Sequence, residues 1–237
     1  MRLYYFTTKE YGLQNLEKRR LKVARILDLN DPFEFIALKL GAKVQRQALR
    51  RRRDEIDQNY GIICFSDRWC DPLMWSHYAD RHRGICLGFE IADAAQPTAI
   101  RYIRDLPDPT ALGYSSLEEM TDKQRMEMGF VKSTDWKYER ERRLIIKLAE
   151  AQPEEAVIKE VPQILYFQPF TDHIKLKEVI VGARCQLGKE ELHAVIGDGL
   201  GKIEMIKARL AFKSFTVIRQ NDPTMWRPSE PTAGDGP

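Results

Sequence analysis

The longest apolar stretches of this chain are residues 62–65 and 85–89, and both contain isoleucine and phenylalanine. A membrane-spanning helix needs about 20 apolar residues, so neither stretch is long enough to form one. Short apolar runs of this kind are typical of buried strands. Residues 71–80, between the two runs, carry a proline near their start that suits a first helical turn. A short helix is therefore expected to join two core strands.

The rest of the chain alternates strand and helix patterns. Residues 42–59 place Leu49 and Ile56 at helical spacing with arginines outside, which predicts an exposed amphipathic helix. Other helices are expected after residue 8 and at residues 115–130 and 189–196. Ser115 or Ser116 is the expected cap of the helix at residues 115–130. Strands are predicted at residues 3–6, 21–23, 61–66, 85–90, 144–148, 164–167, 174–181 and 211–218.

This order of elements predicts one α+β domain over residues 1–219. We expect mixed, mostly antiparallel split sheets with flanking helices. Residues 220–237 contain four prolines and are expected to form a flexible tail.

Composition excludes some classes of partner and compartment. The chain has 38 Lys and Arg against 35 Asp and Glu, a formal net charge of +3, which gives no global field for binding polyphosphate. The N-terminus shows no signal-peptide pattern, and the four cysteines include no Cys-x-x-Cys pair. We therefore expect a cytoplasmic protein with reduced thiols, no membrane partner and no metal.

The strongest local signal is Trp136-x-Tyr138-Glu139-x-Glu141-x-Arg143. If these residues head a strand, alternation places Glu139, Glu141 and Arg143 on one face. Paired carboxylates at this spacing can stabilise a developing cation and orient a nucleophile. An exposed strand face with alternating charges has the same spacing, so the spacing leaves both interpretations open.

Three further groups of residues carry polar or aromatic chemistry. Residues 30–34 form a polar turn with Asn30, Asp31 and Glu34, and Ser66 ends a strand. Asn and Asp commonly cap turns, so a structural role is equally open for them. Trp75, His77 and Tyr78 cannot all face one core from a short helix, so at least one of these rings is expected to reach a partner or solvent.

The arginine run at residues 50–53 lies within a basic segment, residues 46–53, of the predicted helix. A solvated helix face explains it, and so does a contact with nucleic acid. No aromatic residue is interleaved there, although stacking rings are what single-strand binders add to charge.

Five motifs, taken in chain order, resemble the bacterial family catalogued as domain of unknown function 2971. They lie within about residues 3–185 and consist of residues 3–7, residues 30–34, residues 64–66, residues 74–79 with Gly84, Gly88 and Phe89, and residues 136–143. The family name implies no activity.

The order of elements also resembles the ADP-ribosyltransferase superfamily, in which a late glutamate stabilises the oxocarbenium ion as nicotinamide leaves NAD. This resemblance implies that Glu141 is the catalytic glutamate, Glu139 the glutamate two places before it, and Ser66 the middle-strand serine. Tyr5 stands where His or Arg is usual, and Cys64-Phe65-Ser66 replaces the usual Ser-Thr-Ser.

The resemblance implies an NAD-dependent ADP-ribosyltransferase, a toxin or phage-defence effector. Glu141 and Glu139 are its expected catalytic residues, and its acceptor is a protein or nucleic acid. An antitoxin or other regulatory partner would fit such a protein. The residues expected to bind NAD are Tyr5, Ser66, Trp75, Tyr78, Asn30, Asp31, Glu34 and Arg143.

Two alternatives remain. One is a non-catalytic regulatory module that binds nucleic acid or protein through the basic helix segment 46–53. The other is a metal-dependent hydrolase built on Asp31, Glu34, Glu139 and Glu141, since hard cations prefer such oxygen ligands.

Overall fold

The computed structural model describes residues 1–95, 97–109, 119–158 and 160–226. Within these residues the strands are β1 (Arg2–Thr7), β2 (Arg20–Arg25), β3 (Tyr60–Ser66), β4 (Ile85–Ile91), β5 (Thr98–Ala99), β6 (Arg101–Ile103), β7 (Val131–Ser133), β8 (Glu141–Lys147), β9 (Gln152–Ile158), β10 (Val161–Pro169), β11 (Ile174–Val181), β12 (Glu204–Leu210) and β13 (Val217–Arg219). The α-helices of the same residues are α1 (Lys9–Glu17), α2 (Lys43–Asn59), α3 (Pro72–Tyr78), α4 (Asp122–Glu127) and α5 (Lys189–Ile196).

Two compact units can be distinguished along the chain. The first unit consists of residues 1–20, 65–95 and the described part of 170–237. The second unit consists of residues 21–64 and the described part of 96–169. The prediction of one domain over residues 1–219 stays a prediction.

The first unit is built on a sheet in the order β13-β12-β11-β4-β1. Strand β11 runs parallel to β12, and the other neighbours in this order are antiparallel. The apolar run predicted as β4 is fully buried, because it is paired on both sides and packs Ile85, Leu87 and Phe89 into the core. Only glycine fits at position 84, since a Cβ there would come within 3.0 Å of the carbonyl oxygen of Thr7.

The second unit pairs its strands largely antiparallel. Strand β2 pairs with β3, β5 with β8, and β9 with β10, all antiparallel, while β6 and β7 form a short parallel pair. Its core includes the cluster of Ile26, Phe35, Ile56 and Ile62. Helix α2 contributes Ile56 and Leu49 to the interior, which leaves its polar face toward solvent.

Local capping explains where two of the helices start. The Thr8 hydroxyl accepts a hydrogen bond from the backbone N–H of Tyr11 at 3.3 Å, at the head of α1. The Asp71 carboxylate accepts from the N–H of Leu73 at 2.9 Å, and Pro72 occupies the first turn of α3. A side-chain oxygen at this position satisfies a helix N–H that has no backbone partner.

Most of the predicted elements are present. The strands around residues 3–6, 21–23, 61–66, 85–90, 144–148, 164–167 and 174–181 are confirmed, as are the helices around 42–59, 71–80 and 189–196. The chain is a mixed α+β fold with mostly antiparallel strand pairing, as expected. Its likeness to ADP-ribosyltransferases, and the split of its sheets, stay predictions.

Other predictions were wrong or lie outside the described residues. Residues 211–216 form a turn between β12 and β13 rather than a strand. The helix expected over 115–130 is described only as α4 followed by a 3₁₀ turn, Met128–Phe130. Ser115 and Ser116, its expected caps, lie outside the described residues, as do residues 227–237 of the expected tail. Residues 223–225 of that tail form a 3₁₀ turn.

No helix in the described part of the chain is both long enough and apolar enough to cross a membrane.

Candidate active site

The two glutamates of the Glu-x-Glu motif come from two different local structures. Residues Thr134–Glu139 form a 3₁₀ helix capped by Ser133, so the prediction that the strand begins near Trp136 was wrong. Arg140 adopts a left-handed conformation with φ 46°, and β8 starts only at Glu141. Both glutamates nevertheless contact the ammonium group of Lys132. The left-handed residue allows this convergence where strand alternation had been expected to supply it.

Arg143 is the centre of the site, and all five of its N–H donors are engaged. Its Nε and Nη2 donate to the Glu141 carboxylate at 2.6 and 3.1 Å. Its Nη1 and Nη2 donate to the Glu34 carboxylate at 2.7 and 2.6 Å. The remaining Nη1 donor binds the carbonyl oxygen of Gly129 at 2.7 Å. A guanidinium has only five donors, so a ligand would have to displace a protein acceptor to bind Arg143.

Lys132 joins the three glutamates on the other side. Its Nζ lies 2.6 Å from Glu139, 3.3 Å from Glu141 and 3.5 Å from Glu34. It also sits 4.8 Å from the centre of the Trp136 ring, within the range of a cation–π interaction. Lys132 thus stands where the metal-hydrolase alternative would place its cation. Among the described residues, no group of three or more His, Cys, Asp or Glu is arranged to hold a metal ion.

These five residues, named here the ionic cluster (Glu34, Lys132, Glu139, Glu141 and Arg143), are buried. Their exposed fractions lie between 1 and 6%, so the alternative of an exposed charged strand face was wrong. Three carboxylates face two cations, which leaves one excess negative formal charge. Burial of such groups is tolerated only when they are paired, and here Glu139 pairs with Lys132 while each of the other four makes at least two ionic contacts.

The pairing keeps Glu141 ionised. Burial by itself raises the pKa of this carboxyl, but the charge and hydrogen bonds of Arg143, together with Lys132, outweigh burial and lower its pKa to about 2. Burial lowers the pKa of Lys132, yet the three surrounding glutamates outweigh it and raise that pKa. Both groups therefore carry full charge at neutral pH.

Two neighbouring residues complete the surroundings of Glu141. The Tyr102 hydroxyl accepts a hydrogen bond from the backbone N–H of Glu141 at 2.8 Å. Burial raises the pKa of Tyr102 to about 12. Burial, followed by the negative charge of Glu141, raises the pKa of the Cys64 thiol well above its ordinary value. Cys64 is therefore a neutral thiol that donates to the carboxylate rather than a nucleophile.

The turn at residues 30–34 delivers Glu34 to the cluster. The Asp31 carboxylate accepts from the N–H of Phe33 at 2.9 Å, and the Asp31 carbonyl accepts from the N–H of Glu34 at 3.1 Å. Asp31 is buried, so it acts as the turn-forming residue that this sequence pattern allowed. Asn30 is exposed at the start of the same turn.

Other predicted site residues belong to the first unit and are not members of the ionic cluster. Ser66 is fully buried and pairs in register with Tyr4, while the Tyr5 ring packs edge-on against Phe65. Tyr78 is half-buried and contacts the ring of His77.

Trp75, also in the first unit, is fully buried against Phe6, and its indole N–H donates to the carbonyl of Trp69. These are the contacts of a core residue. Its assignment to an NAD cleft, like those of Tyr5, Ser66 and Tyr78, stays a prediction.

The structure thus brings together four of the predicted site residues, Glu34, Glu139, Glu141 and Arg143, within the second unit. Sequence reasoning missed Lys132, which lies in the short strand β7 between Val131 and Ser133. No sequence pattern marks it, because a single lysine between an apolar and a hydroxyl residue is typical of an exposed position.

A cavity of about 210 Å³ in the second unit reaches the ionic cluster through Lys132. Its walls are largely apolar, with Arg104 and Ser133 as additional polar residues. Small-molecule pockets commonly hold about 300–1,000 Å³, so this cavity suits one ring of a ligand rather than a whole dinucleotide. The lining residues are Phe33, Ile36, Ile103, Arg104, Leu106, Val131, Lys132 and Ser133.

Comparison with known proteins identifies no relative: no family model, no curated protein and no solved structure matches this chain.

Proposed function

We propose that this protein is an NAD-dependent ADP-ribosyltransferase in which Glu141 is the catalytic carboxylate. The observation that carries this proposal is an ionised, buried Glu141, whose pKa of about 2 is set by Arg143 and Lys132. A carboxylate that stays charged in a site from which water is largely excluded is what stabilisation of an oxocarbenium ion requires.

The proposed reaction transfers the ADP-ribosyl group from nicotinamide to an acceptor. The bond between ribose and nicotinamide breaks, and its electron pair leaves with nicotinamide. Glu141 stabilises the positive charge left on the ribose. Glu139 orients the acceptor, whose nucleophilic atom forms the new bond to the ribose while its proton passes to the Glu139 carboxylate and from there to solvent.

Access to Glu141 requires movement of Lys132. Its Nζ contacts Glu139 at 2.6 Å but Glu141 at 3.3 Å, so Glu139 holds it more closely. Withdrawal of Lys132 toward Glu139 would uncover one oxygen of Glu141 on the side of the 210 Å³ cavity. Arg143 would keep Glu141 in place through this movement, since it binds both oxygens of that carboxylate.

The test is nicotinamide release from labelled NAD in the presence of protein and nucleic-acid acceptors, comparing wild type with Glu141→Gln. We expect at least a 100-fold loss of release, because the amide cannot stabilise a cation in the same way. The matched control is Asp57→Asn, which changes a buried carboxylate of the same unit whose ion pair with Arg25 lies outside the ionic cluster. Release at wild-type rate by Glu141→Gln, or none by wild type with any acceptor, would refute the proposal.

Stability must be measured beside activity. Glu141→Gln removes one of the two carboxylates that bind Arg143, and loss of one partner of a buried pair costs about 3–5 kcal/mol. If Asp57→Asn is destabilised to a similar degree but keeps nicotinamide release, the loss in Glu141→Gln is chemical. If both variants lose release in proportion to their stability, Glu141 has only a structural role.

One observation favours a second candidate, a regulatory module that binds nucleic acid through α2. Within the described residues, Arg50 and Arg51 are exposed and make no hydrogen bond or ion pair, whereas Arg46 donates to the carbonyl of Gly41 and Arg52 pairs with Glu55. The helix carries six basic and three acidic residues. It therefore offers a local positive face although the whole chain is nearly neutral.

This candidate predicts that Arg50→Ala/Arg51→Ala weakens binding to nucleic acid with a smaller salt dependence, because fewer counterions are released. The control removes the same charge at Lys147 and Lys175, which are exposed elsewhere. Under this candidate Glu141→Gln leaves binding unchanged, whereas under the transferase proposal it abolishes nicotinamide release.

A further inference from the structure

Two phenylalanines project from the turn between β12 and β13 in the first unit. The last pair of this antiparallel hairpin joins Leu210 to Val217, and the carbonyl of Thr216 accepts from the N–H of Ala211 at 3.0 Å beyond it. The side chains of Phe212 and Phe215 on this turn are 94 and 101% exposed. Leu210, at the base of the turn, is 48% exposed. The apolar surface is therefore gathered at one tip, whereas isolated exposed apolar residues are ordinary on a protein surface.

The segment that carries these rings has only positive charge. Residues 205–221 contain four basic residues and no acidic one. Lys207 is buried and donates to two carbonyls, and Arg219 pairs with Glu204. Lys213, between the two rings, is exposed, and the guanidinium of Arg209 lies 5.4 Å from the centre of the Phe212 ring. The tip, named here the FKSF turn (residues 212–215), thus combines two aromatic rings with adjacent basic groups.

We propose that the FKSF turn inserts into an anionic lipid surface, with Phe212 and Phe215 entering the boundary between headgroups and acyl chains and with Lys213 and Arg209 meeting the lipid headgroups. Rings that project from a tight turn can enter a bilayer without any change in the fold. Basic residues beside them are attracted by the negative surface of anionic lipids. This inference goes beyond the transferase proposal and does not depend on it.

A single-stranded nucleic acid is the competing ligand for aromatic and basic residues together. Such binders lay bases on rings along a positively charged groove that follows the backbone. The FKSF turn presents its rings at a tip, and the guanidinium of Arg209 lies beside one of them. The projecting geometry therefore favours lipid. The expectation of no membrane partner depended on the lack of a spanning segment, and a surface-binding turn does not need one.

The test is co-sedimentation of the full chain with vesicles of phosphatidylcholine alone and of phosphatidylcholine mixed with phosphatidylserine. We expect wild type to bind the anionic vesicles, with binding that weakens as salt is added. Phe212→Ser/Phe215→Ser should lower partitioning about 100-fold, roughly tenfold for each ring withdrawn. Lys213→Glu should weaken binding to anionic vesicles only. The matched control, Val157→Ser, removes an exposed apolar side chain of the second unit and should bind as wild type.

Both rings are exposed, so the double variant should keep the thermal midpoint of wild type. If its midpoint changes, vesicle binding is measured on Phe212→Ser and Phe215→Ser separately. Insertion itself is read from Phe215→Trp, whose added fluorescence should be quenched by brominated lipid. The proposal is overturned if wild type fails to bind anionic vesicles, or if the double variant binds them as well as wild type. It is also overturned if the rings are needed for binding a single-stranded RNA oligonucleotide and not for binding vesicles.

Discussion

Replacement of Arg143 by methionine tests the energetic role of the ionic cluster directly. Methionine keeps much of the side-chain volume but removes the charge and all five donors, which bind Glu34, Glu141 and the carbonyl of Gly129. Removing one partner of a buried pair costs about 3–5 kcal/mol. Burial raises the pKa of Glu141, and Arg143 is the main cause that lowers it on folding, so removal of Arg143 is expected to raise that pKa.

Urea unfolding followed by circular dichroism measures this loss. With a slope of about 2 kcal/mol per molar urea, a loss of about 4 kcal/mol lowers the midpoint by roughly 2 M. Arg143→Lys should fall between wild type and Arg143→Met, because an ammonium keeps the charge but cannot reproduce the planar double contacts. The control is Lys147→Met in the same unit, which removes an exposed ion pair with Glu150 and should change stability by less than about 1 kcal/mol.

The loss of stability in Arg143→Met should also depend on pH. The folded pKa of Glu141 lies below its ordinary value, so its stabilisation is fully present above pH 4.5 and is lost as the pH falls toward about 2. In Arg143→Met the buried carboxyl has lost its main partner, so its pKa rises and protonation relieves the variant. The deficit against wild type should therefore shrink as the pH falls from 7 to 4. A midpoint equal to wild type, or a deficit that grows in acid, would refute this account of the cluster.

Three further predictions concern packing and reactivity. Gly84→Ala should unfold or strongly destabilise the first unit in a thermal melt, because a Cβ there would meet the backbone of Thr7, and a midpoint equal to wild type would contradict this. Trp75→Phe should lower the free energy of unfolding by about 2–4 kcal/mol, because it leaves a void and removes the hydrogen bond to Trp69. If Trp75 had only a ligand-binding role, the free energy of unfolding would not change. Cys64 should react with a thiol reagent only slowly at neutral pH until the chain is unfolded, as read by mass spectrometry of the labelled peptides, because burial raises its pKa.

The local elements with strong sequence signals could be predicted, and the weakly marked ones could not. Strand β4 and helix α3 follow from a short apolar run and from an Asp-Pro start, which act through nearby residues alone. Strand β9 has no comparable signal, because its sequence starts with a glutamine, a proline and two glutamates and lies on a largely exposed hairpin with β10. Residues 211–218 have a strand-like composition, yet their phenylalanines occupy a turn. They occupy a turn because β12 pairs with β13 up to Leu210 and Val217, which leaves residues 211–216 as the connection between the two strands.

The sequence by itself determined the fold class and three members of the ionic cluster, because Glu139, Glu141 and Arg143 share one motif. It also marked Glu34 as part of a polar turn, since Asp31 forms that turn through its nearest neighbours. Only the tertiary structure decided that these four side chains meet around Lys132, which lies seven residues from Glu139 and has no motif of its own. The physical reason is that burial and long-range ion pairing depend on which strands lie together. Arg143 and Glu34, 109 residues apart, bind each other only in the folded chain.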